Sequence, residues 1–158
     1  MHYLNLHIFV EFQCDLGWDL FGKFCYKFVT AAKSKSEAEN DCIVKGSHLA
    51  SIHCTEEMDF LTQKTIQMNV WIGGERKGAS FQWLDGTNFD YENWDGGQPG
   101  SNDPRGENCL SWGTFGNPGK WHDAWCGNIF TYVCKKSVSG NCNSVNKFNR
   151  TFLIYTLK

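Results

Sequence analysis

The residues of this chain best placed to do chemistry are its eight cysteines, at positions 14, 25, 42, 54, 109, 126, 134 and 142. No two of them form a Cys-x-x-Cys pair, so zinc ribbons, thioredoxin-like redox centres and c-type haem attachment lose their main signal. What remains is oxidation to structural disulfides, which persist outside a reducing cytosol. Eight cysteines allow about 105 pairings, and composition does not choose among them. Five histidines, at 2, 7, 48, 53 and 122, raise the question of zinc, but they read as unrelated surface or loop residues. No Gly-x-Ser-x-Gly, His-Glu-x-x-His or Walker sequence occurs, so hydrolase and nucleotide chemistry have no foothold. The chain reads as a binding protein, not an enzyme.

Composition sets the scaffold that must carry these cysteines. At 158 residues there is room for one domain with a sizeable core. Fifteen Lys and Arg against seventeen Asp and Glu give a net charge of −2. No basic surplus is available to hold nucleic acid or an anionic membrane. Phe, Trp and Tyr number 12, 7 and 5, an aromatic content that belongs to a packed protein. No apolar run approaches the roughly 18 residues of a spanning helix. The cysteines imply export, to an extracellular, secreted location. Residues 1–13 hold a short apolar run with no Lys or Arg ahead of it and no small-residue cleavage site, and read as a truncated or wrongly defined leader. Residues 137–158 are Ser/Asn-rich and read as a poorly ordered tail carrying the glycosylation sequon Asn149-Arg-Thr151.

Between these ends the elements alternate. Residues 14–29 read as short strands closed by Gly17 and Gly22. Ser34 and Glu37 have the spacing of a capping box, and Ala38, Cys42 and Gly46 continue and stop a first helix. The Lys33-Ser-Lys35 cluster reads as its solvated start. Thr55-Glu-Glu opens a second helix with Met58, Leu61 and Thr65 on one face. Val70-Trp-Ile72 and Phe81–Leu84 read as strands, the latter ending in a turn at Asp85-Gly86. From Asp85 to Glu107 periodicity vanishes among Gly, Pro, Asn and Asp, although Phe89, Tyr91 and Trp94 argue that this long loop is ordered. Leu110–Trp112, Lys120-Trp121 and Phe130–Val133 complete an α+β domain.

Cys109-Leu110, ten residues, Trp121-His-Asp123-Ala-Trp-Cys126, then seven residues to Cys134 resembles the signature of the C-type lectin-like domain. Trp71-Ile-Gly-Gly74 is similar to that family's Trp-Ile-Gly-Leu strand. Gln98-Pro-Gly100 falls at its Gln-Pro-Asp or Glu-Pro-Asn triplet, and Glu107, two residues before Cys109, also matches. The resemblance covers residues 14–136. The triplet loop, Ala50–His53 and the paired glycines are together most similar to fish-type soluble galactose-type lectins, including their type II antifreeze and venom relatives.

The resemblance implies two helices, small antiparallel sheets and a long loop region stapled by Cys14–Cys25, Cys42–Cys134 and Cys109–Cys126. In the chain-entropy model a closure of about 90 residues contributes up to roughly 4–5 kcal/mol, and one of about 17 roughly 3. Cys54 and Cys142 are left over. They pair with each other, link to another chain in a disulfide-bonded oligomer, or reflect an ill-defined terminus.

The resemblance also implies a calcium site at Gln98, Glu107 and Asp123, where a sugar completes the metal's shell; Gln98, Glu107, His122 and Asp123 are then the sugar-binding positions. Two positions depart from the family pattern. Gly100 brings no side-chain oxygen where Asp or Asn is expected, and His122 puts an imidazole, better suited to a transition metal, where Asn is expected. Such a site holds calcium weakly unless Asn102 or Asp103 replaces the lost oxygen. Gln98 matches the galactose-type triplet. Trp112 and Trp125 are candidate plates for a sugar face, with core packing the preferred role of each. Trp71, Trp83, Trp94 and Trp121 read as core.

Two functions follow. The first is a secreted lectin for glycans, galactose-terminated ones by preference, through a weakened calcium site. The alternative is a calcium-independent domain whose loop face binds a protein or ice.

Overall fold

The computed structural model describes residues 13–65, 69–100, 103–113 and 117–138. The expected leader, apart from residue 13, and the tail from residue 139, with its sequon and Cys142, lie outside the described residues. In chain order the elements are β1 (Asp19–Phe21), β2 (Phe24–Lys33), α1 (Lys35–Val44), β3 (His48–Leu49) and α2 (Thr55–Lys64). They continue with β4 (Val70–Lys77), β5 (Ser80–Trp83), β6 (Cys109–Trp112), β7 (Trp121–Ala124) and β8 (Phe130–Ser137). Antiparallel pairs dominate, and one parallel contact of β4 with β8 joins them in the order β1-β2-β8-β4-β6-β7. β3 adds to β8, and β5 to β4.

Local chemistry explains the helices. The Ser34 amide and hydroxyl both donate to the Glu37 carboxylate, at 3.1 and 2.5 Å, which fixes the start of α1. Gly46 takes a φ of 69°, a left-handed conformation that stops the helix. Met58, Leu61 and Thr65 are buried along one stripe of α2, as their spacing requires.

β4 has two buried faces. Trp71 joins Ala38, Cys42, Leu49, Tyr132 and Cys134 on the α1 side. Its neighbour Ile72 points the other way, into a cluster with Met58, Leu61, Trp83, Trp112 and Trp121. Trp94, expected in the core, is half-buried and packs against that second cluster.

The Lys33–Lys35 segment does not form the solvated helix start expected of it. Lys35 is 4% exposed. The β4–β6 ladder shifts register between Trp71 and Glu75. Lys35 Nζ donates to the carbonyls of Ile72 and of Gly74, the latter at 2.8 Å, within that gap. Its ammonium also lies 5.7 Å from the Trp71 ring centroid. Backbone acceptors left open by the bulge draw the cation inward, which charge patterning in one dimension does not reveal.

Cys14–Cys25, Cys42–Cys134 and Cys109–Cys126 are bonded, closing 11, 92 and 17 residues of sequence. Cys54 is also disulfide-bonded.

Candidate functional site

The site is built where the long loop meets β7. Trp121 is the anchor: its amide donates to Asn93 O at 2.8 Å, and its carbonyl accepts from Asp95 N at 3.0 Å. Phe89, Tyr91 and Trp94 pack around its ring with centroids 5.6–6.0 Å away. The loop aromatics therefore order it, as their presence suggested. Asn117 donates to Asp95 at 2.6 Å, and this bond, with the Gly96 amide, holds the Asp95 carboxyl below the usual carboxylate range.

From Asp95 the chain turns, with Gln98 N on Asp95 O at 3.0 Å, and passes through a cis Gln98–Pro99 peptide. The next amide, Gly100 N–H, then reaches two of the expected positions together. It lies 3.0 Å from Gln98 Oε1 and 2.8 Å from Asp123 Oδ1. Asp123 comes from β7, where Trp121 and Asp123 are buried in alternation with more exposed His122 and Ala124. Its side chain has 0% exposure.

Asp123's other oxygen is held by a residue the sequence reading did not select. Arg76, near the end of β4, donates through Nη2 to Asp123 Oδ2 at 2.7 Å. Its Nε donates to the Glu107 carbonyl at 3.3 Å, and its backbone amide donates to Asn108 O at 2.8 Å. The guanidinium carbon sits 4.7 Å above the Phe81 ring centroid. No signal in the sequence ties Arg76 to Asp123, because 47 residues separate them. In one dimension it sits between Glu75 and Lys77, in a run that looks like a solvated strand end.

Arg76, Pro99, Gly100, Gly106, Glu107 and Asn108 line an open cleft of about 500 Å³. Of the expected positions Glu107 lines this cleft, and Gly100 on its wall joins it to Gln98 and Asp123. His122 does not line it. Strand alternation turns it to the opposite face of β7, where it lines a separate cavity of about 190 Å³ with Asn69, Ser111, Gly113, Ala124 and Phe130. Its Nε2 is buried without a hydrogen-bond partner, 3.4 Å from Asp95 Oδ2.

The substitutes considered for the missing oxygen fare differently. Asn102 lies outside the described residues. Asp103 is engaged by its own neighbour: Arg105 Nε reaches its two oxygens at 2.9 and 3.1 Å, and Nη2 reaches Oδ2 at 2.5 Å. These bonds pull the Asp103 carboxyl down to about 2. The aromatic plates are also engaged. Trp112 is 1% exposed, and Trp125 lies against the Cα of Gly127 with the Arg105 guanidinium 4.1 Å from its centroid.

This donor set does not fit a tight calcium site. The ion takes six to eight oxygens, but here both Asp123 oxygens and the Gln98 amide oxygen face N–H donors. Gly100 adds no side-chain oxygen, and His122 faces elsewhere. Among the described residues, no group of three or more His, Cys, Asp or Glu side chains could hold a metal ion.

The C-type lectin domain model matches residues 31–136. The chain belongs to the C-type lectin domain family. A relative described as a lectin from Pleurodeles waltl is 40% identical over 132 residues, covering 78% of this chain and 76% of that protein. Among solved structures, the cow C-type carbohydrate-recognition domain of CD23, determined with a GlcNAc2Man3 oligosaccharide, has a TM-score of 0.74 at 35% identity. It covers 81% of this chain and 98% of its own. A calcium-independent type II antifreeze protein has a TM-score of 0.70 at 32% identity, covering 79% of this chain and 95% of its own. The C-type lectin fold expected from the signature is therefore shown, and carbohydrate binding is the activity supported at the level of the family. C-type lectin family members are non-enzymatic binding proteins. Among the described residues of this lectin domain, no helix is long and apolar enough to cross a membrane.

Proposed function

We propose that this chain is a secreted, extracellular carbohydrate-binding domain that receives a neutral sugar of the galactose type in the cleft beside Gln98, Glu107 and Asp123. The observation that carries this reading is the Gly100 amide, which ties the Gln98 turn to Asp123 at the edge of that cleft. Preorganised polar groups around an open depression are what a hydroxyl-rich ligand requires. Gln98 favours the galactose type, and calcium contributes weakly because its expected donors are reduced and engaged. The experiment is retention on galactose resin, with calcium and with chelator, for the natural chain and Glu107→Ala. Retention of the natural chain that weakens in the variant supports the reading; passage through the resin under both conditions overturns it.

A second reading has a specific observation on its side. The Arg76–Asp123 pair favours calcium-independent recognition of a glycan, a protein or ice, and the likeness to a calcium-independent antifreeze protein is consistent with it. Retention that is indifferent to chelator supports this second reading over the first.

A further inference from the structure

We infer that Arg76 is the resident cation of this cleft, standing where the family would place calcium against Asp123. The inference rests on the metal-independent reading above and names the residue responsible. A carboxylate with 0% side-chain exposure needs a compensating positive charge. A divalent ion is one way to supply it; a guanidinium fixed by the protein is another. At 2.7 Å the Arg76 Nη2–Asp123 Oδ2 contact is a charge-assisted hydrogen bond.

Two further contacts hold the guanidinium, and a third anchors the Arg76 backbone. The Glu107 carbonyl accepts from Nε, the Phe81 ring lies beneath the planar group, and the backbone amide is bonded into β6's approach at Asn108. For calcium to reach Asp123 Oδ2, the Arg76 Nη2 bond would have to break. Calcium would also meet the Gly100 amide with its N–H, a positive dipole end, directed at Asp123 Oδ1 and Gln98 Oε1. Both surroundings favour an internal cation over an added one.

The exchange changes what the cleft offers a ligand. Arg76 has five N–H donors, of which its bonds to Asp123 and Glu107 use two. Its side chain is 26% exposed, on the wall of the cleft. The remaining donors suit the oxygen of a sugar hydroxyl, which is then bound by hydrogen bonds and not as a ligand of a metal. With Arg76 neutralised by Asp123 and Glu107 nearby, the cleft has no surplus positive charge for an acidic sugar. A neutral polyol is the matching class.

The test uses thermal melting of the whole chain with calcium or chelator, beside terbium luminescence sensitised by tryptophan. The natural chain should show the same Tm under both conditions and no saturable terbium signal. Arg76→Gln should melt several degrees lower in chelator and recover part of that loss in millimolar calcium. Arg76→Lys, which keeps a cation, should remain indifferent to calcium. A saturable calcium-induced rise in the Tm of the natural chain overturns the inference, as does Arg76→Gln melting like the natural chain in chelator. If Arg76→Gln does not fold, the titration of the natural chain decides alone: an unchanged Tm supports the inference and a rise refutes it. None of these readouts uses sugar, so failure on galactose resin and failure here are separate results.

Discussion

Lys135 Nζ lies 2.6 Å from Glu57 Oε1 inside the domain, and the Tyr26 hydroxyl donates to the same oxygen at 2.5 Å. The two charged side chains are 4% and 1% exposed. Lys135 also donates to the Ser51 carbonyl at 2.8 Å. One ion pair thus fastens α2 to the central strand β8.

Removing one partner of such a pair strands a charge. Lys135→Met should destabilise the domain by about 3–5 kcal/mol, measured by urea unfolding. The double variant Lys135→Met with Glu57→Met should recover a substantial part of that loss, because neither charge is then left alone. Equal losses in the single and double variants would refute the pairing as the source of the effect.

Lys35 gives stability a pH dependence. Burial lowers its pKa to about 7, against the opposing pull of Glu75 and Glu39. The unfolded chain therefore holds this proton up to higher pH than the folded one. The resulting penalty is full below about pH 7 and is relieved as pH rises toward the unfolded value, at no more than about 1.4 kcal/mol per pH unit. Tyr26 works in the opposite sense: burial and Glu57 raise its pKa, so its contribution is lost only above the unfolded phenol value, near pH 10. Comparison of the natural chain with Lys35→Met by urea unfolding at pH 7 and pH 9 isolates the Lys35 contribution. The natural chain should gain more stability over that interval than the variant, and identical gains would count against it.

The paired glycines of β4 differ in what lies beside them. A Cβ at Gly73 would meet the Leu49 carbonyl oxygen at 2.5 Å, whereas one at Gly74 would meet the Leu110 side chain at 2.5 Å. Backbone yields less readily than a side chain. Gly74→Ala should cost about 1–3 kcal/mol and Gly73→Ala more, as read by Tm. The reverse order would contradict this packing.

His53 links the long loop to the core. Its Nδ1 lies 2.7 Å from Asp90 Oδ1, and its Nε2 lies 3.1 Å from Ser51 Oγ and 3.2 Å from Thr87 Oγ1. His53→Ala should speed amide hydrogen exchange across residues 85–95 while leaving the exchange of β8 unchanged. Unaltered protection in the loop would show that Trp121 alone suffices to hold it.

The legible features were those encoded locally or in the cysteine spacing. Ser34 and Glu37 announced α1, the Met58–Leu61–Thr65 stripe oriented α2, and the family resemblance paired six cysteines as they are found. Gln98 and Asp123, named from the same resemblance, meet at the Gly100 amide, and Glu107 lines the adjoining cleft. Arg76 and the inward turn of Lys35 were not legible. Each depends on partners brought in by the fold: Asp123 across the β4–β6–β7 edge, and the carbonyls of a strand bulge. His122 was misplaced for a related reason. The family resemblance put it in the site as the residue standing for Asn, but a strand sends neighbours to opposite faces.

Because consecutive residues of β4 serve different clusters, with Trp71 in one and Ile72 in the other, neither half of the interior can melt while its companion stays intact. Heat should therefore be absorbed in a single calorimetric transition, with calorimetric and van't Hoff enthalpies equal. Half-open forms are scarce in a molecule built this way, and with them the usual openings for proteases and self-association.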